Sequence, residues 1–109
     1  MFPSHLPACL FGGAVLMNAV PHLVSGAMGR RFPSPFAKPR GKGQSSALVN
    51  VLWGSANLLV AYLILCRLGR FDIRDGAQAA AFGLGVLVMG LFCARHFGGL
   101  NEGRGPDLT

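Results

Sequence analysis

The chain alternates between three long uncharged stretches and shorter charged ones. No Lys, Arg, Asp or Glu occurs in residues 1–29, 43–66 or 76–94, which are 29, 24 and 19 residues long. A hydrocarbon layer of about 30 Å takes roughly 20 helical residues, at about 1.5 Å of rise each. The pattern therefore predicts an all-α transmembrane bundle of three spans in one domain. The spans are expected at about residues 8–28, 46–66 and 77–97.

The composition favours a membrane protein over a soluble one. Hydrophobic residues make up 51% of the chain and charged residues 13%, whereas a soluble domain carries roughly 25% charged residues. A soluble helical bundle is the alternative, but buried helices usually have apolar runs of only about 10–14 residues and a polar stripe. A cleaved signal peptide fits poorly, because no basic residue precedes Arg30.

Pro21 lies inside the first predicted span. Its ring removes a backbone donor, so the carbonyl of Met17 loses its helical partner. In lipid that carbonyl has to be satisfied by a neighbouring helix, a hydroxyl or water. We expect the first helix to be kinked at Pro21.

A basic loop, residues 29–45, joins the first two predicted spans. Its three prolines exclude a continuous helix. Phe32 and Phe36 alternate with the cations, a pattern suited to the level of the headgroups, where each cation contributes about 1 kcal/mol against anionic lipid. The alternative is a topology signal with no further role. The loop has five cations and no anion: Arg30, Arg31, Lys38, Arg40 and Lys42.

The distribution of Lys and Arg predicts the orientation. With three spans, the basic loop and the C-terminus share one side, which holds seven of the ten cations, and the other side holds three. The positive-inside rule then places the loop and the C-terminus in the cytoplasm and the N-terminus outside. The net charge of +6 is concentrated on one membrane face, so anionic headgroups, not nucleic acid, are the expected partner. The Gly-rich polar tail, residues 98–109, is expected to be disordered.

Polar side chains recur on one face of each of the first two spans. Such groups are costly in hydrocarbon unless they find partners, so the two faces are expected to meet. We predict a polar seam between the helices, a candidate ligand site or helix contact, formed by Asn18, His22, Ser25, Asn50 and Asn57.

Helical rise predicts which seam residues share a depth. Counted from the loop ends of the two antiparallel helices at about 1.5 Å per residue, Asn18 is level with Asn57. By the same count His22 faces Gly54, and Ser25 faces Asn50.

The seam allows two interpretations. In one, its amides and hydroxyls bridge the helices, each bond contributing about 0.6 to 2 kcal/mol. In the other, it binds a small molecule or passes a proton, with His22 as the titrating group.

The third span carries small residues at helical spacing. Such a stripe lets another backbone approach closely, and it suits either the seam or a second copy of the chain. The stripe consists of Ala79, Gly83, Val86, Gly90 and Ala94.

No recognisable catalytic or cofactor motif is present. The spans contain no carboxylate, and the chain has no phosphate-binding glycine loop and no Cys/His metal pattern, so no cofactor, metal or catalytic residue is expected. Cys9 and Cys66 both fall near the predicted outer surface, where a disulfide is geometrically possible.

One part of the chain resembles a known group. Residues 18–36, NAVPHLVSGAMGRRFPSPF, with Gly41-Lys42-Gly43 and residues 49–54, VNVLWG, resemble a group of uncharacterised small bacterial multi-pass membrane proteins. The resemblance implies a bacterial inner-membrane setting and assigns no catalytic residue.

Three classes of function remain. The first is a non-enzymatic bundle that acts as an accessory or interaction protein. The alternative is a small transporter or channel-like oligomer that uses the polar seam. A membrane enzyme ranks last, because the spans offer no nucleophile with an acid–base pair.

Overall fold

Three long helices make up the protein. The computed structural model describes residues 5–39 and 43–102, with the backbone alone for residues 101 and 102. Helix α1 spans His5–Ala27, α2 spans Ala47–Tyr62 and continues as a π-helical segment over Leu63–Leu68, and α3 spans Gly76–Glu102. All three are long and apolar enough to cross a membrane, and the described residues contain no strand beyond one isolated bridge in the basic loop. The predicted all-α, three-span fold is confirmed.

The ends of the helices differ from the predicted spans. Helix α1 begins at His5, and α3 continues to Glu102, five residues beyond its predicted end. Residues 98–102, which belong to the predicted tail, are therefore helical. No proline follows before Pro106, and Gly98 and Gly99 each cost the helix only about 1 kcal/mol. The rest of the predicted tail, residues 103–109, lies outside the described residues.

Pro21 sits within α1, which is a single helix from His5 to Ala27. A proline six residues from a helix end interrupts the backbone ladder without ending the helix when packing holds both sides. The kink at this position stays a prediction.

Helix α1 lies between the other two. It runs antiparallel to α2, since His22 pairs with Asn50 and the earlier Asn18 pairs with the later Asn57. It runs parallel to α3, whose residues 82–85 lie beside the start of α1 and whose Phe97 lies beside His22. Within the described residues, no Cα atoms of α2 and α3 come within 8 Å of each other. Helix α1 is thus the common partner of the other two.

Glycines set the closeness of α1 and α3. A Cβ atom at Gly85 would collide with the carbonyl oxygen of Leu10, and one at Gly13 would collide with that of Phe82. Small residues at such crossings allow the backbone contact that associates helices in lipid, where the hydrophobic effect is weak. This face of α3 is centred on Gly85. Of the predicted small-residue stripe, Gly90 lies beside Met17 of α1, whereas Gly83 has open space around it.

The connection between α2 and α3 is held by Gln78 and Asp75. Asp75 caps α3 by accepting from the backbone N–H of Gln78 at 3.1 Å. The Oε1 atom of Gln78 accepts from the backbone N–H of Asp72 at 2.7 Å, and the thiol of Cys9 on α1 lies 3.8 Å from the same oxygen. These contacts tie the start of α1 to the start of α3.

Candidate functional site

Asn50 is the polar centre of the bundle. It is fully buried in the first turn of α2, and the Oγ atom of Ser46 caps that turn by accepting from Val49 N–H. Its Nδ2 atom donates to the backbone carbonyl oxygens of Phe32 at 2.9 Å, Ser46 at 3.0 Å and Ser45 at 3.3 Å. One amide therefore joins α2 to both ends of the basic loop.

The Asn50 amide also orients His22. The Nδ1 atom of His22 lies 2.8 Å from Asn50 Oδ1, and the His22 side chain is only 3% exposed. Because the Asn50 Nδ2 atom faces carbonyl oxygens, its Oδ1 atom has to be an acceptor. His22 Nδ1 therefore carries the hydrogen, and in a neutral imidazole Nε2 is left as an acceptor.

The partner of His22 differs from the one that helical rise predicts. The count places His22 opposite Gly54, whereas His22 bonds Asn50, one turn nearer the loop. Gly54 instead receives Leu23, whose Cγ atom would lie 2.6 Å from a Cβ at that glycine. Rise alone ignores the rotation of each helix about its axis, which decides the side chain that faces a given neighbour.

The deeper part of the seam follows the predicted pairing. Asn18 Nδ2 donates to Asn57 Oδ1 at 3.0 Å, and Asn57 Nδ2 donates to the backbone carbonyl of Trp53 at 2.9 Å. Ser25 does not join Asn50, whose amide is occupied by His22 and the loop carbonyls. Its backbone carbonyl accepts from Arg30 N–H at 2.8 Å in the turn that ends α1.

The basic loop folds back against the helices. Phe32 and Ser45 form an antiparallel bridge through two backbone hydrogen bonds of 3.2 and 2.9 Å. The buried hydroxyls of Ser34 and Ser45 lie 2.6 Å apart, and Phe36 N–H donates to Ser34 Oγ at 3.1 Å. Sequence reasoning missed Ser34 and Ser45 because nothing in their spacing distinguishes them from solvated loop serines. Three of the predicted headgroup-facing cations, Arg30, Arg31 and Lys38, are exposed, whereas Arg40 and Lys42 lie outside the described residues.

Aromatic rings enclose His22. The ring centroids of Phe32, Phe97 and Trp53 lie 5.5, 6.2 and 6.5 Å from the His22 centroid, each in an edge-to-face arrangement. Phe36 meets Trp53 in the same way at 5.3 Å. Such edge-to-face pairs contribute about 0.5–1.5 kcal/mol beyond the area they bury.

Two cavities adjoin this cluster, and Trp53 lines both of them. The first, the histidine cavity, has a volume of about 170 Å³. It is lined by Asn18, His22, Pro33, Ser34, Pro35, Trp53, Phe92, His96 and Phe97. The second, the apolar groove, has a volume of about 530 Å³ and is lined by Phe36, Val49, Leu52, Trp53 and Ala56.

The cysteines and acids do not assemble a further centre. The described residues hold no group of three or more His, Cys, Asp or Glu side chains that could bind a metal ion. Cys9 is buried and Cys66 is exposed, and both are free thiols. The disulfide considered from their positions in the sequence is not formed in this structure.

The fully buried polar atoms of the seam are all paired. In the described part of the chain, every fully buried side-chain nitrogen and oxygen has a hydrogen-bond partner.

Comparison of the chain with family models, with curated proteins and with solved structures finds no match.

Proposed function

We propose that this chain is a bacterial inner-membrane protein that acts through helix contact, as a non-enzymatic accessory or interaction protein. The observation that carries the proposal is the pairing of polar groups across the seam. Asn18 donates to Asn57, and Nδ1 of His22 bonds Asn50. Asn57 also bonds the Trp53 backbone. A conduit needs polar groups that are free to replace a solute's hydration. The seam leaves none fully buried without a partner, which favours a structural role over the transporter alternative.

The outer face of α3 is the contact surface of this proposal, and its partner is a second copy of the chain. Among the described helices, only α1 has Cα atoms within 8 Å of α3. Gly83 has no atom within 4 Å of a built Cβ, and Ala80 and Ala94 are exposed near the same face. Copies inserted in one orientation would pair through the same face around a two-fold axis, the commonest closed symmetry.

Gly83→Ile tests this contact. We expect energy transfer between donor- and acceptor-labelled copies in liposomes to exceed that of a monomeric control protein, and to fall to the control level in the variant, because the β-branched side chain keeps the backbones apart. The matched control is Leu84→Ile, which changes an exposed neighbour without adding volume.

Two results would contradict the proposal. One is wild-type energy transfer no higher than that of the monomeric control. The other is a proton or solute flux into the same liposomes above the lipid background, which would favour the transporter alternative.

The proposed orientation places the basic loop and the C-terminus in the cytoplasm and the N-terminus outside. The seven-to-three distribution of Lys and Arg supports it, and the exposed Arg30, Arg31 and Lys38 then face the anionic headgroups of the inner leaflet.

Thiol labelling in cells tests the orientation. In a chain with Cys9→Ala and Cys93→Ala, the exposed Cys66 should react with an impermeant maleimide in spheroplasts. With Cys66→Ala and Lys38→Cys added, labelling should require permeabilisation. The reverse pattern would contradict the orientation, and the two sites reacting from the same side would contradict a membrane crossing by α2.

A further inference from the structure

The histidine cavity is bordered by a polar atom that the seam leaves unpaired. The His22 ring is 3% exposed and lines the cavity, and its Nδ1 atom is bonded to Asn50. Its Nε2 atom has no hydrogen bond to any residue of the described part of the chain, and it is not fully sealed from the cavity. By bonding Nδ1, Asn50 thus leaves Nε2 of His22 as an acceptor at the edge of the histidine cavity.

We propose that this cavity binds the hydroxyl-bearing aromatic head of a lipid-soluble phenol or quinol, with the ligand's O–H donating to Nε2 of His22. The proposal goes beyond helix contact and adds a ligand site to the bundle. A neutral imidazole whose Nδ1 carries the hydrogen has Nε2 free to accept from such an O–H group.

The walls of the cavity suit a flat, uncharged ring. Trp53, Phe92 and Phe97 line it, and His96 stacks parallel to Phe92 with centroids 5.8 Å apart. The aromatic ring of a ligand would make favourable stacked or edge-to-face contacts with these side chains. No Lys, Arg, Asp or Glu is among the described lining residues, so the part of the wall that the structure describes favours an uncharged head.

The apolar groove has room for an apolar tail on the ligand. Trp53 lines both spaces, and we infer that a tail attached to a head beside His22 extends past this ring into the groove along α2. The groove is lined by the carbon side chains of Phe36, Val49, Leu52 and Ala56 together with the Trp53 ring. A polar head joined to an alkyl or isoprenoid chain matches this pair of spaces, because each part meets surface of its own polarity.

The fluorescence of Trp53 tests the proposal directly, because it is the only tryptophan of the chain. The full-length protein in phosphatidylcholine nanodiscs is titrated with a decyl-substituted hydroquinone under ascorbate, and with the dimethyl ether of the same compound. We expect saturable quenching by the hydroquinone. The ether should bind about tenfold more weakly, because it leaves the Nε2 acceptor unpaired.

Variants separate binding from partition into lipid. His22→Ala should remove saturation, and His5→Ala, at the opposite end of α1, is the matched control that should retain it. Phe92→Ala serves as a second variant, since that side chain is 59% exposed and its loss leaves the bundle intact while removing a wall of the cavity. This substitution should weaken the binding of the hydroquinone. Far-UV circular dichroism verifies the helical content of each variant.

Three outcomes would overturn the proposal. The site is contradicted by wild-type quenching that rises linearly without saturation, or by quenching in His22→Ala and Phe92→Ala that equals that of the wild type. Equal binding of the dimethyl ether denies the hydrogen bond to His22. Displacement of the hydroquinone when phosphatidylglycerol replaces phosphatidylcholine would assign the cavity to an anionic phospholipid instead.

Discussion

Gly85→Leu is expected to separate α1 from α3 and to lower the free energy of unfolding by about 3 kcal/mol or more. A side chain at this position meets the carbonyl oxygen and carbon of Leu10 and the backbone nitrogen of Ala14. Flexible side-chain ends can turn aside, but these are backbone atoms of a continuous helix and cannot. Relief therefore requires the two helices to move apart along their whole contact.

Gly83→Leu is the matched control for this prediction. It makes the same substitution two residues earlier in α3, where a Cβ would have nothing within 4 Å. Both variants are compared with the wild type by titration with sodium dodecyl sulfate, followed by far-UV circular dichroism, at dilutions that keep the chain monomeric. Equal stability of the two variants would mean that the close crossing of α1 and α3 does not hold the bundle together.

Asn50→Leu is expected to lower the free energy of unfolding by about 3 kcal/mol and to release the basic loop. The similar volume of leucine leaves no large cavity, so the cost is that of the lost hydrogen bonds. The buried His22 N–H loses its only acceptor, a penalty of about 1–3 kcal/mol. The carbonyls of Phe32 and Ser45 keep their mutual bridge but lose the amide that fastens it to α2.

Asn57→Leu is the control for that effect. It removes the bond to Asn18 and the local bond to the Trp53 carbonyl, and an interhelical bond of this kind contributes about 0.6 kcal/mol in membrane proteins. Hydrogen exchange at the amides of Phe32 and Ser45 should accelerate in Asn50→Leu and stay at the wild-type rate in Asn57→Leu. Acceleration of the same size in both variants would contradict the role given to Asn50.

The agreement between helical rise and the Asn18–Asn57 bond shows how far local regularity extends. Both residues lie on regular helices joined by one loop, so counting residues from the loop gives the depth of each residue in its helix. The depth count gives the wrong partner for His22, which lies nearer the loop than Asn18 does. There the loop's own carbonyls and the rotation of α2 bring Asn50 to the imidazole and turn Gly54 toward Leu23.

The glycines of α3 show the same limit. The small-residue stripe predicted from the sequence includes Gly83 and Gly90 and leaves out Gly85, although a small residue indicates only that close approach is allowed. The structure places Gly85 against the Leu10 carbonyl and leaves Gly83 open. Which of them is used depends on the rotation of α3 about its axis, and that rotation is decided by the packing of many side chains at once.

The sequence by itself determined the three membrane-crossing helices and the polar faces of the first two. Both follow from short-range patterns, since hydrocarbon excludes charge from a stretch of about 20 residues and polar groups there require partners. Only the tertiary structure decided that α1 is the central helix, that Asn50 joins the loop to His22, and that a cavity forms beside that imidazole. These features bring together residues from distant parts of the chain, whose rotation and spacing no local pattern contains.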